Sequence, residues 1–198
     1  VWLYLTDAAL SCVGLLTAAS AVSRPGLVLL TLPLIGLLSL FARERQQRLK
    51  HTLELGTAYR GTALILGDVI DTIDDYTGIH SREVGDLSLA VAGVLQLDAA
   101  CRRNVELAAL LHDVGKIRIP REIINKPDKL NVLEWEIMRR HTTEGETMLT
   151  QVGGALSRVG RFVRSSHERY DGQGYPDGLA GEAIPIESRI ICVCDAYN

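Results

Sequence analysis

The sequence predicts an all-α chain, a bundle of helices preceded by a transmembrane helical hairpin. Three observations carry that expectation. Beyond residue 50, apolar residues recur at three- and four-residue steps, the period of one helix face. No alternating apolar–polar run of useful strand length appears. Residues 1–42 carry only two charges, Asp7 and Arg24, in an otherwise apolar run.

The hairpin comes first. "SRPG" at 23–26 divides residues 1–42 into two apolar stretches of roughly 17–22 residues, near the length that spans a bilayer. "RERQQRLK" follows at 43–50, and basic residues beside a span favour the cytoplasmic side. The chain is therefore expected at the inner membrane of a cell, with residue 43 onward in the cytoplasm. The competing reading is a buried helical hairpin, because the second stretch is short and contains Pro33. A first residue that is valine and an end at "CVCDAYN" within a helical pattern read as a fragment of a longer protein.

Residues 43–67 read as a basic juxtamembrane segment and signalling helix, part of a long helix over 51–78. A shift of that helix would move His80, the first polar residue of interest. The domain proper is expected over 68–198. Its next helix places Val84, Leu87, Val91, Val94 and Leu95 on one stripe. Asp98 is placed to cap the following helix, which runs through Val105, Ala108 and Leu111 into His112. Gly115 and Pro120 mark an exit loop. Asn131 with Glu134 reads as a capping box, and Thr143 with Glu146 as a second. Leu156, Val159 and Val163 line one side of another helix. The segment "DGQGYPDGLAGEAIP" has too many helix breakers to be a helix, and a long structureless loop in a compact domain is usually functional. A last helix starts near Ile186 and carries Asp195.

Composition narrows the function. The 198 residues carry a formal net charge of −3, which gives no reason to expect a DNA or RNA polymer as partner. The four cysteines form no CxxC pair, so neither a zinc ribbon nor a thioredoxin-type motif is supported.

Four of the five histidines, His80, His112, His141 and His167, lie at or near helix termini. Asp113 and Asp195 sit beside apolar runs, where a carboxylate is costly to bury without a positive partner. Imidazoles and carboxylates without thiolates describe a site for manganese, iron or zinc. Two such ions some 3.5–4 Å apart are the usual machinery for cleaving phosphoesters, and the two oxygens of Asp113 suit it to bridge them. Each residue also has a bland reading. "HD" alone is commonly a helix end, His167 can pair with Glu168 at the surface, and Asp195 with Arg189.

The order of the pieces decides between these readings. "YTGIHSREV", "LLHDVGKIRIP", "MRRHTTEG", "SSHERYDGQGYPDGL" and "RIICVCDAYN" together resemble the HD-GYP family, a branch of the HD metal-dependent phosphohydrolases, over residues 68–198. The resemblance implies an HD-type helical bundle with a metal cluster in its core. It implies hydrolysis of cyclic di-GMP to the linear dinucleotide or to GMP, and so a fall in that second messenger. It assigns His80, His112, Asp113, His141, His167 and Asp195 as ligands to two divalent metal ions, manganese or iron first and zinc after them. Asp113 is the catalytic bridge. Lys116 lies near the substrate phosphate, as a catalytic and substrate-binding group. Gly174, Tyr175 and Pro176 form a turn beside the substrate, with Tyr175 either stacking on guanine or buttressing the loop. The family's domain continues beyond Asn198, so the domain is C-terminally truncated here.

Partners implied are the cyclic dinucleotide, the membrane, a second copy of the chain, and a diguanylate cyclase or other signalling protein. One departure stands out. The family commonly has two adjacent histidines where this chain has Ser166 and His167, which disfavours a three-metal site. It leaves room for two rivals, a catalytically weak receptor module and a phosphohydrolase acting on another nucleotide.

Overall fold

The computed structural model describes residues 28–73 and 79–198, together with Ala8 and residues 11–15 and 17–19. Helices follow one another through it: α1 (Val28–Ile73), α2 (His80–Val94), α3 (Ala99–Leu111), a 3-10 turn at Val114–Arg118, α4 (Arg121–Ile124), α5 (Val132–Arg139), α6 (His141–Val152), α7 (Gly154–Arg164), a 3-10 turn at Gly181–Ala183, and α8 (Ile186–Tyr197). No strand occurs among the described residues. The all-α expectation holds.

The expected transmembrane hairpin does not find support. Among the described residues, no helix is long and apolar enough to cross a membrane. The first apolar stretch lies largely outside the described residues. The second forms the start of α1, which begins at Val28 and reaches the charges of Arg43, Glu44 and Arg45 after only about 22 Å of helix rise. A bilayer core is ~30 Å thick. The long helix expected over 51–78 ends at Ile73, and residues 74–78 lie outside the described residues.

The chain divides into two compact units, Val1–Ala58 and Tyr59–Asn198. In the first, Leu32, Leu37, Leu40 and Phe41 of α1 are exposed, and Arg48 pairs with Glu44 one turn away at 2.6 Å. The second unit holds the core: Ile70, Val84, Val105, Leu111, Val159, Val163 and Ile191 are all but fully buried.

Helix α3 buries Val105, Ala108 and Leu111 as its spacing predicts. Asp98 caps it, accepting the backbone N–H groups of Ala100 and Cys101 at 2.8 Å. The stripe expected on α2 is only half right. Val84 is buried, but Val91, Val94 and Leu95 are exposed. The buried face is instead Ser81, Val84, Gly85, Ser88 and Ala92. These small side chains let α2 pack closely against α3 and α8, and hydrophobicity alone does not mark such a face. Asp71 ties α1 to this helix, accepting the Ser81 N–H at 3.0 Å and the Ser81 hydroxyl at 2.7 Å.

The capping box at Asn131 and Glu134 is present, with bonds of 2.9 and 2.8 Å. The second expected box, Thr143 with Glu146, is not. Only Arg140, itself helical at φ −66° and ψ −15°, separates α5 from α6, so Glu144 N–H already bonds to the Arg140 carbonyl at 2.9 Å. Thr143 therefore donates its hydroxyl to the Arg140 carbonyl at 2.9 Å, and Glu146 accepts from Arg164 at 2.9 Å.

Candidate metal centre

Each of the six expected ligands lies within three residues of a helix end. His80 opens α2, His112 and Asp113 follow α3, His141 opens α6, His167 lies just beyond α7, and Asp195 is on α8. Helix ends suit this work, because the last turn projects side chains away from the helix's own packing. The six converge as two groups: His80, His112 and Asp195 in one, and Asp113, His141 and His167 in the other. Within each, the donor atoms lie within 4.8 Å of one another.

Two carboxylates join the groups. One oxygen of Asp113 lies 3.4 Å from His112 Nε2 and the other 3.5 Å from His141 Nε2. Asp195 places Oδ1 at 3.2 Å from His80 Nε2 and 3.6 Å from His112 Nε2, and Oδ2 at 3.9 Å from His167 Nδ1.

The rings are aimed by the backbone. His112 Nδ1 donates to the Ala109 carbonyl at 2.8 Å, and His141 Nδ1 donates to the Met138 carbonyl at 2.8 Å. A neutral imidazole that donates through Nδ1 presents a lone pair at Nε2. His80 Nδ1 meets the Asn198 side-chain oxygen at 2.8 Å. The Nε2 atoms of His112, His141 and His167 are buried without a hydrogen-bond partner. Lone pairs and carboxylate oxygens that converge in a buried space repel one another, and buried polar atoms rarely stay unsatisfied. The residues present fit a cation.

The electrostatics agree. Burial disfavours the charged forms throughout, yet His112, His141 and Lys116 hold Asp113 well below the usual carboxylate range. Burial alone lowers His112, but Asp113 and Asp195 outweigh it and push it up to about 9. That is the response of an imidazole whose place among anions suits a positive charge. His167, farther from a compensating carboxylate, is pushed down to about 4 by burial and by His141. Lys116 Nζ lies 2.8 Å from Asp113 Oδ2.

Ser166 is fully buried and donates its hydroxyl to the Val163 carbonyl at 2.8 Å. Its hydroxyl is therefore satisfied by the end of α7.

The loop after His167 is built on two anchors that the sequence reading did not single out. Glu168 is not a surface partner of His167. Its carboxylate is buried at 1% exposure and accepts the N–H groups of Asp177, Gly178 and Leu179 at 2.7, 3.1 and 3.0 Å. Arg164 grips Asp177 with two bonds of 2.7 Å. The one signal in the sequence was adjacency, an acid directly after a ligand histidine and before a loop full of N–H donors.

Gly174 closes the loop onto this segment. A Cβ there would lie 2.3 Å from Arg169 N and 2.6 Å from the His167 carbonyl. The next residue, Tyr175, stacks on His167 with centroids 5.1 Å apart and an interplanar angle of 17°, and its bond to Pro176 is cis. The ring thus buttresses the His167 imidazole. Glu168→Gln should leave one of three N–H donors facing an amide hydrogen and lower stability by about 1–3 kcal/mol. A drop of about 2–12 °C in Tm, read by thermal unfolding, is the expected result.

An HD domain family model matches residues 65–198. The chain is 39% identical over 155 residues to the cyclic di-GMP phosphodiesterase response regulator RpfG of Xanthomonas campestris pv. campestris, covering 77% of this chain and 41% of that protein. It is 42% identical over 129 residues to the cyclic di-GMP phosphodiesterase PA4108 of Pseudomonas aeruginosa, covering 65% and 31%. It is 38% identical over 136 residues to the 3'3'-cGAMP-specific phosphodiesterase 1 of Vibrio cholerae serotype O1, covering 69% and 31%. The matched part of the chain thus spans less than half the length of each of these relatives.

Proposed function

The chain belongs to the HD domain family, and from that premise we propose that it is a metal-dependent phosphodiesterase of cyclic dinucleotides. Cyclic di-GMP is the substrate, and the linear dinucleotide or GMP the product. The observation that carries this reading is the pair of three-residue donor groups spanned by Asp113 and Asp195. One site for one ion needs no such pairing.

In this reading His80, His112 and Asp195 would hold one ion and Asp113, His141 and His167 the other, with the Asp113 carboxylate set between the two groups. Manganese or iron suits a set of imidazoles and carboxylates without thiolate, and zinc is compatible. Bound ions supply an activated water and neutralise charge on the leaving oxygen. The chain's own contribution is positional. Ala109 and Met138 fix two imidazoles through their carbonyls, and Tyr175 packs against a third. Lys116 presents an ammonium beside Asp113, where it stabilises negative charge gathering on the phosphoryl oxygens. Ser166, turned to Val163, supports two ions rather than three. The two relatives named for cyclic di-GMP support that substrate, and the relative named for 3'3'-cGAMP makes that compound the rival. The four cysteines are free thiols, which supports a place in the reducing cytoplasm.

The test is anaerobic incubation of the protein with manganese or ferrous iron, followed by chromatography of cyclic di-GMP and 3'3'-cGAMP. Conversion of cyclic di-GMP to a linear product is the expected result. Folded, metal-loaded protein that leaves both compounds intact would overturn the enzyme reading in favour of a receptor. Conversion of 3'3'-cGAMP alone would overturn the substrate assignment only.

A further inference from the structure

Arg139 ends α5 and faces two aromatic rings rather than a carboxylate. Arg82, Arg118, Arg164 and Arg169 each pair with a carboxylate. Among the described residues Arg139 has no such partner. Its guanidinium carbon instead lies 5.9 Å from the Trp135 ring centroid and 5.2 Å from that of Tyr175. Tyr175 stacks in turn on His167. A column of Trp135, Arg139, Tyr175 and His167 therefore leads from the surface to the donor cluster.

Stacking engages the flat face of a guanidinium and leaves its N–H donors, which lie in the plane, unspent. The column is also held in place. Helix α5 fully buries none of its side chains, and polar bonds hold both of its ends. The Asn131–Glu134 box fixes its start, and Lys126 clamps Glu134 at 2.8 and 2.6 Å. Its end is tied to the site, because the Met138 carbonyl beside Arg139 is the one that aims His141.

A cyclic dinucleotide carries two phosphodiester groups. Lys116 and the donor cluster account for the one that is cleaved, and the other arrives as a second anion with no assigned partner. We infer that Arg139 is a substrate-binding residue that takes the second, uncleaved phosphodiester through its N–H fork. Trp135 and Tyr175 keep the guanidinium plane oriented. Arginine suits this task, since its fork matches phosphate oxygens two at a time. The inference rests on the phosphodiesterase reading above.

The test compares cyclic di-GMP with bis(p-nitrophenyl) phosphate, which has a single phosphodiester, on the manganese-loaded protein and its variants. Arg139→Ala should raise KM for cyclic di-GMP about 10- to 100-fold, the loss of a charge-assisted hydrogen-bonded pair, with kcat little changed. Hydrolysis of bis(p-nitrophenyl) phosphate should stay as in the parent. Arg139→Lys, which keeps the charge and loses the fork, should recover only part of the loss. An unchanged KM for cyclic di-GMP in Arg139→Ala overturns the inference, as does an equal loss on both compounds, which would mark a general disturbance of the site. A parent protein that hydrolyses neither compound overturns the functional reading beneath it.

Discussion

Asp113→Ala is expected to abolish hydrolysis and to remove the rise in Tm expected of the parent protein when manganese is added. The carboxylate is one of the two that join the donor groups, with one oxygen 3.4 Å from His112 Nε2 and the other 3.5 Å from His141 Nε2. It also receives Lys116 at 2.8 Å. Loss of the carboxylate should cost at least the roughly 10- to 100-fold in metal affinity that follows loss of an outer-shell partner. A ligand that binds only the folded state raises Tm through mass action, so lost affinity appears as a lost shift. Metal content by atomic spectroscopy and thermal unfolding with and without manganese read the two effects independently. Two ions retained by Asp113→Ala would show that this carboxylate does not bridge.

Gly115→Ala should damage the same site without removing any ligand. A Cβ on Gly115 would lie 1.8 Å from the His141 carbonyl oxygen and 2.6 Å from the Gly145 nitrogen. All of these are backbone atoms, so no side chain can rotate out of the way. The 3-10 turn that follows Asp113 would have to part from α6, which carries His141. Overpacking of this kind costs about 1–3 kcal/mol and occasionally more, a fall of about 2–12 °C in Tm for a domain of this size. Metal affinity should fall with it, because His141 moves relative to Asp113. Gly93→Ala is the control: it lies on α2, with no atom within 4 Å of the added Cβ, and should be neutral or slightly stabilising through helix propensity. Equal Tm values for the two variants would remove the packing argument.

The same residues show which features were legible in the chain before its fold. Asp98 and the Asn131–Glu134 pair announced their helix starts, because a cap needs only residues two or three positions apart. The Thr143–Glu146 pair had the same spacing and made no box, since α5 running directly into α6 had already used the backbone donors. The stripe on α2 misled for a related reason. Apolar periodicity reports what prefers burial, whereas Ser81, Gly85 and Ser88 are buried because two other helices approach there. Apolar composition likewise announced a membrane hairpin, but the described helix that begins at Val28 meets its charges too soon to span.

The sequence by itself determined the all-helical class, most helix starts, and the order of histidines and aspartates that marks the HD domain family. Those depend on short spacings and on residue type, which the chain carries locally. Only the tertiary structure decided that Asp113 and Asp195 each face both donor groups, that Glu168 is buried as the anchor of a loop, that Ser166 is spent on a backbone carbonyl, and that Arg139 stands between two aromatic rings. Each is a relation between atoms far apart in the chain. Burial and direction are set there by how helices pack, and no local pattern records them.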